Sequence, residues 1–469
     1  MSRRDRLAGK RVVVFGFGRQ GRALVRWLPS IGADVVVTDS RSALELAVRR
    51  RDWPGVRFYL GGHPSDALIG ARLICVSAGV PLDLPLLDEA REQGIPFSND
   101  AQLFLERCPV PVIGITGSAG KTTTTALVAA ILRQAGYTTW LGGNIGNPLL
   151  EDLAKINPRD IVVMELSSFQ LELMQRSPQV AAILNLTPNH LDRHGSLENY
   201  AAAKANILRY QNRSDVAVLC QDDKGSQPFV PLVAGEDLRF SRYEIVADGA
   251  FTLGSRLLVL GAASYDGAAH VVCQRGEIAL RGEHNVANVL AACAITGGMG
   301  LATGRPGIAP AVMRAAIRDF RPVAHRLEVL RVQHGVSWVN DSIATAPERL
   351  LAALNSFQEP LVLLIGGADK DLPWAVALQV ATKKAKHIIV FGAEGGKQVA
   401  TKVMPLLQRM SLRPGQVLRA EGLAEAVECA AGVALAGDVV LLSPGGTSYD
   451  AYADFAERGN HFRQLVSQL

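Results

Sequence analysis

At 469 residues, with 48% hydrophobic and 20% charged residues, the chain is too long for one ordinary domain and too apolar for a disordered one. A formal net charge of +5 is a mild excess over that length; it excludes a polybasic nucleic-acid binder and leaves at most a modest attraction for anionic substrates. The six cysteines, Cys75, Cys108, Cys220, Cys273, Cys293 and Cys429, form no C-x-x-C pair and suit reduced thiols in the cytoplasm.

The start, "MSRRDRLAGKR", leads into "VVVFGFG", which is too short and glycine-broken for a secretory segment. No uninterrupted apolar run reaches the roughly 18 residues of a membrane span, so a cytoplasmic protein without a membrane segment is expected. The first strand, 11–18, ends in Gly16-Phe17-Gly18-Arg19-Gln20-Gly21 and opens a helical pattern; the next, 33–40, ends at Asp39. Strand, glycine turn, helix and strand-end acid together form the dinucleotide fingerprint, in which glycines let the backbone approach a pyrophosphate and the acid reaches a ribose or base. A tight turn without a ligand is the plainer alternative, and the pattern does not say which nucleotide binds.

After a third run at 72–79, the proline pair of "ERCPVPV" marks a boundary. The run 110–117 then enters Gly117-Ser118-Ala119-Gly120-Lys121-Thr122, and a Thr-rich helix beginning with Thr123 follows. The common phosphate-binding loop has a glycine where Ile115 stands here. Helix N-terminal amides and the Lys121 ammonium would still cradle a polyphosphate, with the Thr122 hydroxyl on Mg²⁺. Threonines alone would make a good helix cap, but a cap needs no lysine between glycine and threonine.

The runs 160–168 and 180–188 end near Glu165 and before His190 and Asp192. If these strands flank the loop strand, a Glu and a His meet the phosphate loop at one sheet edge, a credible divalent-metal and catalytic cluster. Lys204 lies in "SLENYAAAKANILRY", a helix capped by Ser196; by composition alone it belongs on a solvated face. Gly-separated short strands at about 235–282 read as antiparallel hairpins, a small β-appendage within an α/β domain. Asn285 and Asn288 stand three apart at a helix start, where one can cap and the other face a ligand.

A second boundary falls at "RDFRPVAHRLE", and four more apolar runs carry Arg326, Asp341, Thr345 and Lys370 at their ends or turns. Ser448 opens a helix in "SPGGTSYDAYADF". The expected fold is α/β in three domains: 1–106 Rossmann-like, 107–320 a central ATPase domain with the β-appendage, and 321–469 a second Rossmann-like domain.

Over nearly the whole chain this motif set resembles the ATP-dependent Mur ligases of peptidoglycan synthesis, MurD type. Their loop reads G-x-x-G-K-[TS] after "GITG", which puts Gly117, Gly120, Lys121 and Thr122 in register; "ELSSFQLE", "HRLE…NDSIAT" and "SPGGTSYD…F…ERGNHF" follow in the same order. The resemblance implies an ATP-dependent amide ligase that adds D-glutamate to UDP-N-acetylmuramoyl-L-alanine through an acyl phosphate, as a cytoplasmic monomer. It implies ATP and Mg²⁺ as cofactors, with two metal sites and Mn²⁺ able to substitute.

It further implies that Gly16, Gly18, Gly21, Asp39, Arg41, Ser77, Gly79 and Asn144 contact the uridine nucleotide. Gly117, Ser118, Ala119, Gly120, Lys121, Thr122, Thr123, Asn288, Arg326 and Asp341 would meet ATP. Lys121, Glu165, His190 and Lys204 would be catalytic; Thr122, Glu165, His190 and a carbamylated Lys204 would hold metal. Thr345, Lys370, Ser448 and Phe455 would shape the glutamate site. Two departures stand out: Ser118-Ala119 replaces the common Thr-Asn, and Ile343 stands where many relatives carry a lysine, a role Lys370 could take over.

Three other functions compete. A folylpolyglutamate-type ligase lacks the N-terminal nucleotide fingerprint. An NAD-dependent oxidoreductase would use Gly16 to Gly21 and Asp39 and show a change in NADH absorbance, and a non-catalytic P-loop module would bind ATP without turnover.

Overall fold

The computed structural model describes residues 5–145, 148–280, 282–321, 324–393 and 395–469. The chain forms two compact units: Met1–Glu277 with Ala287–Phe320, and Ile278–Val286 with Arg321–Leu469. Three sheets organise them. The 1–106 and 107–320 segments each build a sheet, and both sheets lie in the first unit.

The first sheet has five strands in the order Arg57–Leu60, Asp34–Asp39, Arg11–Phe15, Ala71–Val76 and Phe97–Ser98, all parallel. Its central strands are continuous Val, Ile and Leu runs because helices cover both faces, as parallel sheets require. With all five strands pointing one way, Gly16, Asp39 and Ser77 come together at their C-terminal ends.

The second sheet has nine strands, and Val112–Thr116 lies between Ile161–Glu165 and Val180–Ile183, parallel to both. The register pairs Ile115 with Glu165, and Gly143 on the strand Thr139–Gly143 also pairs with Glu165. Glu165 therefore ends its strand beside the phosphate loop, as its place in the sequence led us to expect. The antiparallel strands Gly249–Leu253, Arg256–Gly261 and Gly267–Gln274 are present, but they continue this sheet through the parallel strand Glu236–Ser241. A sheet edge offers unpaired N–H and C=O groups, so extending it satisfies them where a separate appendage would not.

One described helix, Glu283–Thr303, is long and apolar enough to cross a membrane by length and composition, although the sequence has no uninterrupted run of that kind. Within its apolar window 72% is buried inside the protein, the situation of a core helix. The third sheet, in the second unit, runs Glu328–Gln333, Val336–Asn340, Val439–Gly445, Leu361–Gly366, Ala385–Phe391 and Val417–Ala420; only the first strand is antiparallel to its neighbour. Buried apolar side chains on both faces fix its helices.

Candidate active site

The loop after Val112–Thr116 reverses at Gly120, whose φ of +84° leads directly into the helix Lys121–Gln134. A Cβ there would lie 2.3 Å from Asn288 Oδ1, so both conformation and space call for glycine. Asn185 holds the loop from below: its backbone carbonyl accepts from the Ser118 amide at 3.1 Å, its Oδ1 from the Ala119 amide at 2.8 Å, and its Nδ2 donates to the Ala119 carbonyl at 3.1 Å. Ser118 Oγ adds a bond to the Thr187 carbonyl at 2.9 Å and meets the Tyr200 hydroxyl at 3.1 Å. Because the Ser118 and Ala119 amides already donate to Asn185, these two residues shape the loop.

Lys121 Nζ folds back onto the Gly117 carbonyl at 2.8 Å, and Thr122 Oγ1 donates to Glu165 Oε2 at 2.8 Å. The other carboxylate oxygen of Glu165 accepts from Asn144 Nδ2 at 2.7 Å. One buried carboxylate thus ties the loop to the strand end that carries Asn144. Arg19, inside the glycine fingerprint, donates to the Asn144 carbonyl at 2.9 Å.

Lys204 departs most from its sequence-based expectation. It is 1% exposed, and its Nζ donates to Thr116 Oγ1 at 3.2 Å and to the Gly117 carbonyl at 3.0 Å, above the Tyr200 ring at 4.7 Å. Burial and then the neighbouring Lys121 ammonium push its pKa well below the ordinary lysine value, against a smaller opposing pull from Glu165. A larger neutral fraction makes it the kind of amine that reacts with CO₂.

His190 sits in the left-handed region, φ +54°, at the start of the short helix Leu191–His194, with its ring edge-on to Phe169 at 5.1 Å. His194 stacks on the same Phe169, and its Nε2 meets Ser168 Oγ at 3.0 Å. The Asp192 side chain lies outside the described residues. Among the described residues no group of three His, Cys, Asp or Glu side chains is gathered to hold a metal. The oxygen donors Glu165 and Thr122 suit a hard divalent cation, whereas Lys204 suits one only as a carbamate.

At the first sheet, Asp39 is buried and saturated. Phe17 N donates to Oδ2 at 2.7 Å; Arg41 donates from N and Nε to Oδ1 at 2.9 and 3.0 Å, and from Nη2 to Oδ2 at 2.8 Å. Burial raises the carboxyl pKa, but these bonds outweigh it and hold the group below the usual carboxylate range. With about four lone-pair sites on a carboxylate already used, Asp39 holds Arg41 in place and has little capacity left for a ribose diol. Ser77 Oγ donates to the Gly16 carbonyl at 2.9 Å, and a Cβ on Gly21 would lie 1.9 Å from that same carbonyl oxygen. Around Gly79 a Cβ would meet nothing within 4 Å, and Arg193, stacked on Phe169, donates to the Gly79 and Val80 carbonyls.

Within the second unit, Asp341 is buried, accepts from Ser443 Oγ at 2.9 Å and from Leu327 N at 3.2 Å, and is pushed up by burial to about 7. Arg326 lies between His325 and Leu327, both in the left-handed region at φ +65° and +44°. The Phe455 carbonyl accepts from Ser342 Oγ at 2.8 Å, two residues before the Ala344-Thr345 turn. Ser448 is buried and caps a turn through its carbonyl, which accepts from the Ala451 and Tyr452 amides. Lys370 stands in the turn between Asp369, held by Trp374 and Lys402, and Asp371.

Two supporting residues escaped sequence reading. Asn185 lies in "NLTPNH" without any spacing that marks it. Arg458, in "ERGNHF", is 1% exposed and donates to the Ser342, Gly446 and Thr447 carbonyls, strapping the turns that carry Thr345 and Ser448; burial lowers its pKa to about 10. A charged residue inside an otherwise apolar helix face was the available signal.

Three family models match the chain: "Mur ligase MurD-like, N-terminal domain" over residues 10–98, "Mur ligase middle domain" over 115–296 and "Mur ligase, glutamate ligase domain" over 325–446. UDP-N-acetylmuramoylalanine--D-glutamate ligase of Symbiobacterium thermophilum is 39% identical over 98% of both chains. The enzyme of that name from Acetivibrio thermocellus is 36% identical over 99% of this chain and 98% of its own. Among solved structures, UDP-N-acetylmuramate-alanine ligase MurC from Thermotoga maritima matches with a TM-score of 0.59 at 20% identity, covering 98% and 99% of the two chains. MurF ligase from Thermotoga maritima in complex with ADP matches with a TM-score of 0.56 at 18% identity, covering 99% and 97%.

Proposed function

The chain belongs to the Mur ligase family, and from that premise we propose that it joins D-glutamate to UDP-N-acetylmuramoyl-L-alanine with ATP, as a monomer in the cytoplasm. It is an ATP-dependent ligase of peptidoglycan synthesis. The observation that carries the ATP chemistry is the convergence of Lys121, Lys204, Thr122 and Glu165 on one phosphate loop, and the choice of substrates rests on the likeness to ligases named for them.

A carboxylate is a poor electrophile because its charge repels nucleophiles. It therefore first attacks the γ-phosphoryl group of ATP, breaking its bond to the β–γ bridging oxygen so that ADP leaves and an acyl phosphate forms, and the neutral amine of glutamate then displaces phosphate through a tetrahedral intermediate, losing a proton as the amide forms. Lys121 and the first-turn amides offset the repulsion between the two anions, which asks for positioning more than covalent help. Glu165 holds Thr122 oriented, and a carbamate on Lys204 would present an anion in place of a cation. A divalent cation bound by Thr122, Glu165, His190 and that carbamate would add charge neutralisation.

The remaining assignments follow the same reading. Gly16, Gly18, Gly21, Arg41 held by Asp39, Ser77, Gly79 and Asn144 serve the uridine nucleotide; Asn288, Arg326 and Asp341 serve ATP. Thr345, Lys370, Ser448 and Phe455 serve glutamate, with Lys370 in place of the lysine missing at Ile343. Phosphate release from ATP with UDP-N-acetylmuramoyl-L-alanine, compared across D-glutamate, L-glutamate and other amino acids, tests it. Stimulation by a folate and by none of these would overturn the substrate assignment.

A further inference from the structure

A cavity of about 300 Å³ lies in the first unit, away from the strand ends that carry Gly16, Asp39 and Ser77. Lys10, just before the strand Arg11–Phe15, and Arg72, at the start of Ala71–Val76, line it. Because these strands are parallel, both cations stand on the edge of the sheet opposite the glycine fingerprint. The glycine-fingerprint site and this cavity therefore do not overlap.

Three cations, Arg6, Lys10 and Arg72, face one carboxylate, Glu106, which gives the lining a net charge of +2. Arg6 is paired with Glu106, whereas Lys10 and Arg72 are exposed and make no side-chain hydrogen bond or ion pair among the described residues. Ser98 also lines the cavity; it is 3% exposed, and its hydroxyl is buried without a hydrogen-bond partner. Leu73 and Phe97 supply apolar wall.

From these observations we infer that this cavity is a second ligand site, for a small phosphate monoester with an apolar body. A dianion matches the two uncommitted cations, its several oxygens can accept from guanidinium and ammonium together, and the organic group packs on Leu73 and Phe97. Leu173 and Gln175, which follow the strand Ile161–Glu165 in the chain, also line it, so an occupant would bridge the first sheet and the segment beyond that strand.

Phenyl phosphate titrated into the full chain, with the phosphate loop filled by a non-hydrolysable ATP analogue, tests this by calorimetry. One site per chain is expected, weakened at least tenfold by Lys10→Ala/Arg72→Ala and unmoved by Arg41→Ala in the nucleotide site. Lys10 and Arg72 are exposed, so the double variant keeps its fold, which its melting temperature verifies. Absence of binding at millimolar concentration, affinity unchanged in the double variant, or benzoate binding as tightly as phenyl phosphate would each overturn the assignment.

Discussion

The Nζ atoms of Lys121 and Lys204 donate to the same oxygen, the carbonyl of Gly117, at 2.8 and 3.0 Å. Two ammonium groups this close in a buried setting repel one another, so one of them gains by losing its charge. Lys204 is the more buried, and its pKa is the one driven well down.

A carbamylated Lys204 leads to a distinct rescue pattern. Lys204→Ala is expected to lower phosphate release at least 100-fold while retaining ATP binding, and added formate or acetate should restore part of the rate by occupying the vacated anionic position. Loss without rescue would show that the lysine only packs. Lys121→Ala should cost on the order of 10²–10³ in kcat without rescue by acids, the scale for removing one preorganised donor to developing charge.

The glycines of the two nucleotide motifs separate by substitution. Gly120→Ala forces a Cβ into the left-handed region and to 2.3 Å from Asn288 Oδ1, so a strain of roughly 1–3 kcal/mol should appear as a five- to hundredfold loss of ATP affinity. Gly79→Ala meets nothing within 4 Å, so it should leave stability unchanged; if Gly79 touches the nucleotide sugar, it raises KM for that substrate alone. Calorimetric ATP binding and steady-state kinetics read the two effects apart.

Glu165→Gln replaces one acceptor oxygen with an NH₂ facing either Thr122 Oγ1 or Asn144 Nδ2, both of which donate to Glu165. With the NH₂ turned toward Thr122 the hydroxyl accepts where it had donated and the amide oxygen still accepts from Asn144, so what the substitution removes is the charge that would attract a cation. The Mg²⁺ concentration for half-maximal activity should rise at least tenfold, with thermal stability within about 2 kcal/mol of the parent. An unchanged Mg²⁺ requirement would remove Glu165 from the metal site.

How much of this was legible follows from where each residue's partners lie in the chain. Glu165 could be placed from sequence because a strand-end carboxylate beside a loop strand needs only the parallel register, which the apolar runs reveal. From composition alone Lys204 could not, because its helix reads as placing it on a solvated face: only the family resemblance put it at the site, and only the packing of Leu197–Arg209 under the loop turns a solvated lysine into a buried one. Asn185 was invisible because it binds backbone groups, which carry no residue identity for a motif to record, and Arg458, which does the same, left only the signal of a charge within an apolar helix face. The segment at about 235–282 reads as antiparallel hairpins, which holds for 249–274, but Glu236–Ser241 is parallel to both neighbours, and its pairing with Gly249–Leu253 is what joins the hairpins to the central sheet.

Asp100 adds a pH dependence of its own. It is 4% exposed, with an unpartnered Oδ1, and burial raises its pKa from 3.8 to about 6. Between those values the folded chain binds more protons at this group than the unfolded chain, so its contribution makes stability fall as pH rises from about 4 to about 6, and the deficit persists above. A shift of about two units corresponds to an upper figure of roughly 3 kcal/mol. Asp100→Asn keeps the shape and removes the ionisation, so the variant should match the parent near pH 4 and exceed it in stability at pH 8 by roughly 1–3 kcal/mol. Urea midpoints at the two pH values measure this, since a change in midpoint at constant slope is a change in stability. A variant that gains nothing at pH 8 would show that the buried carboxylate is compensated in the folded chain.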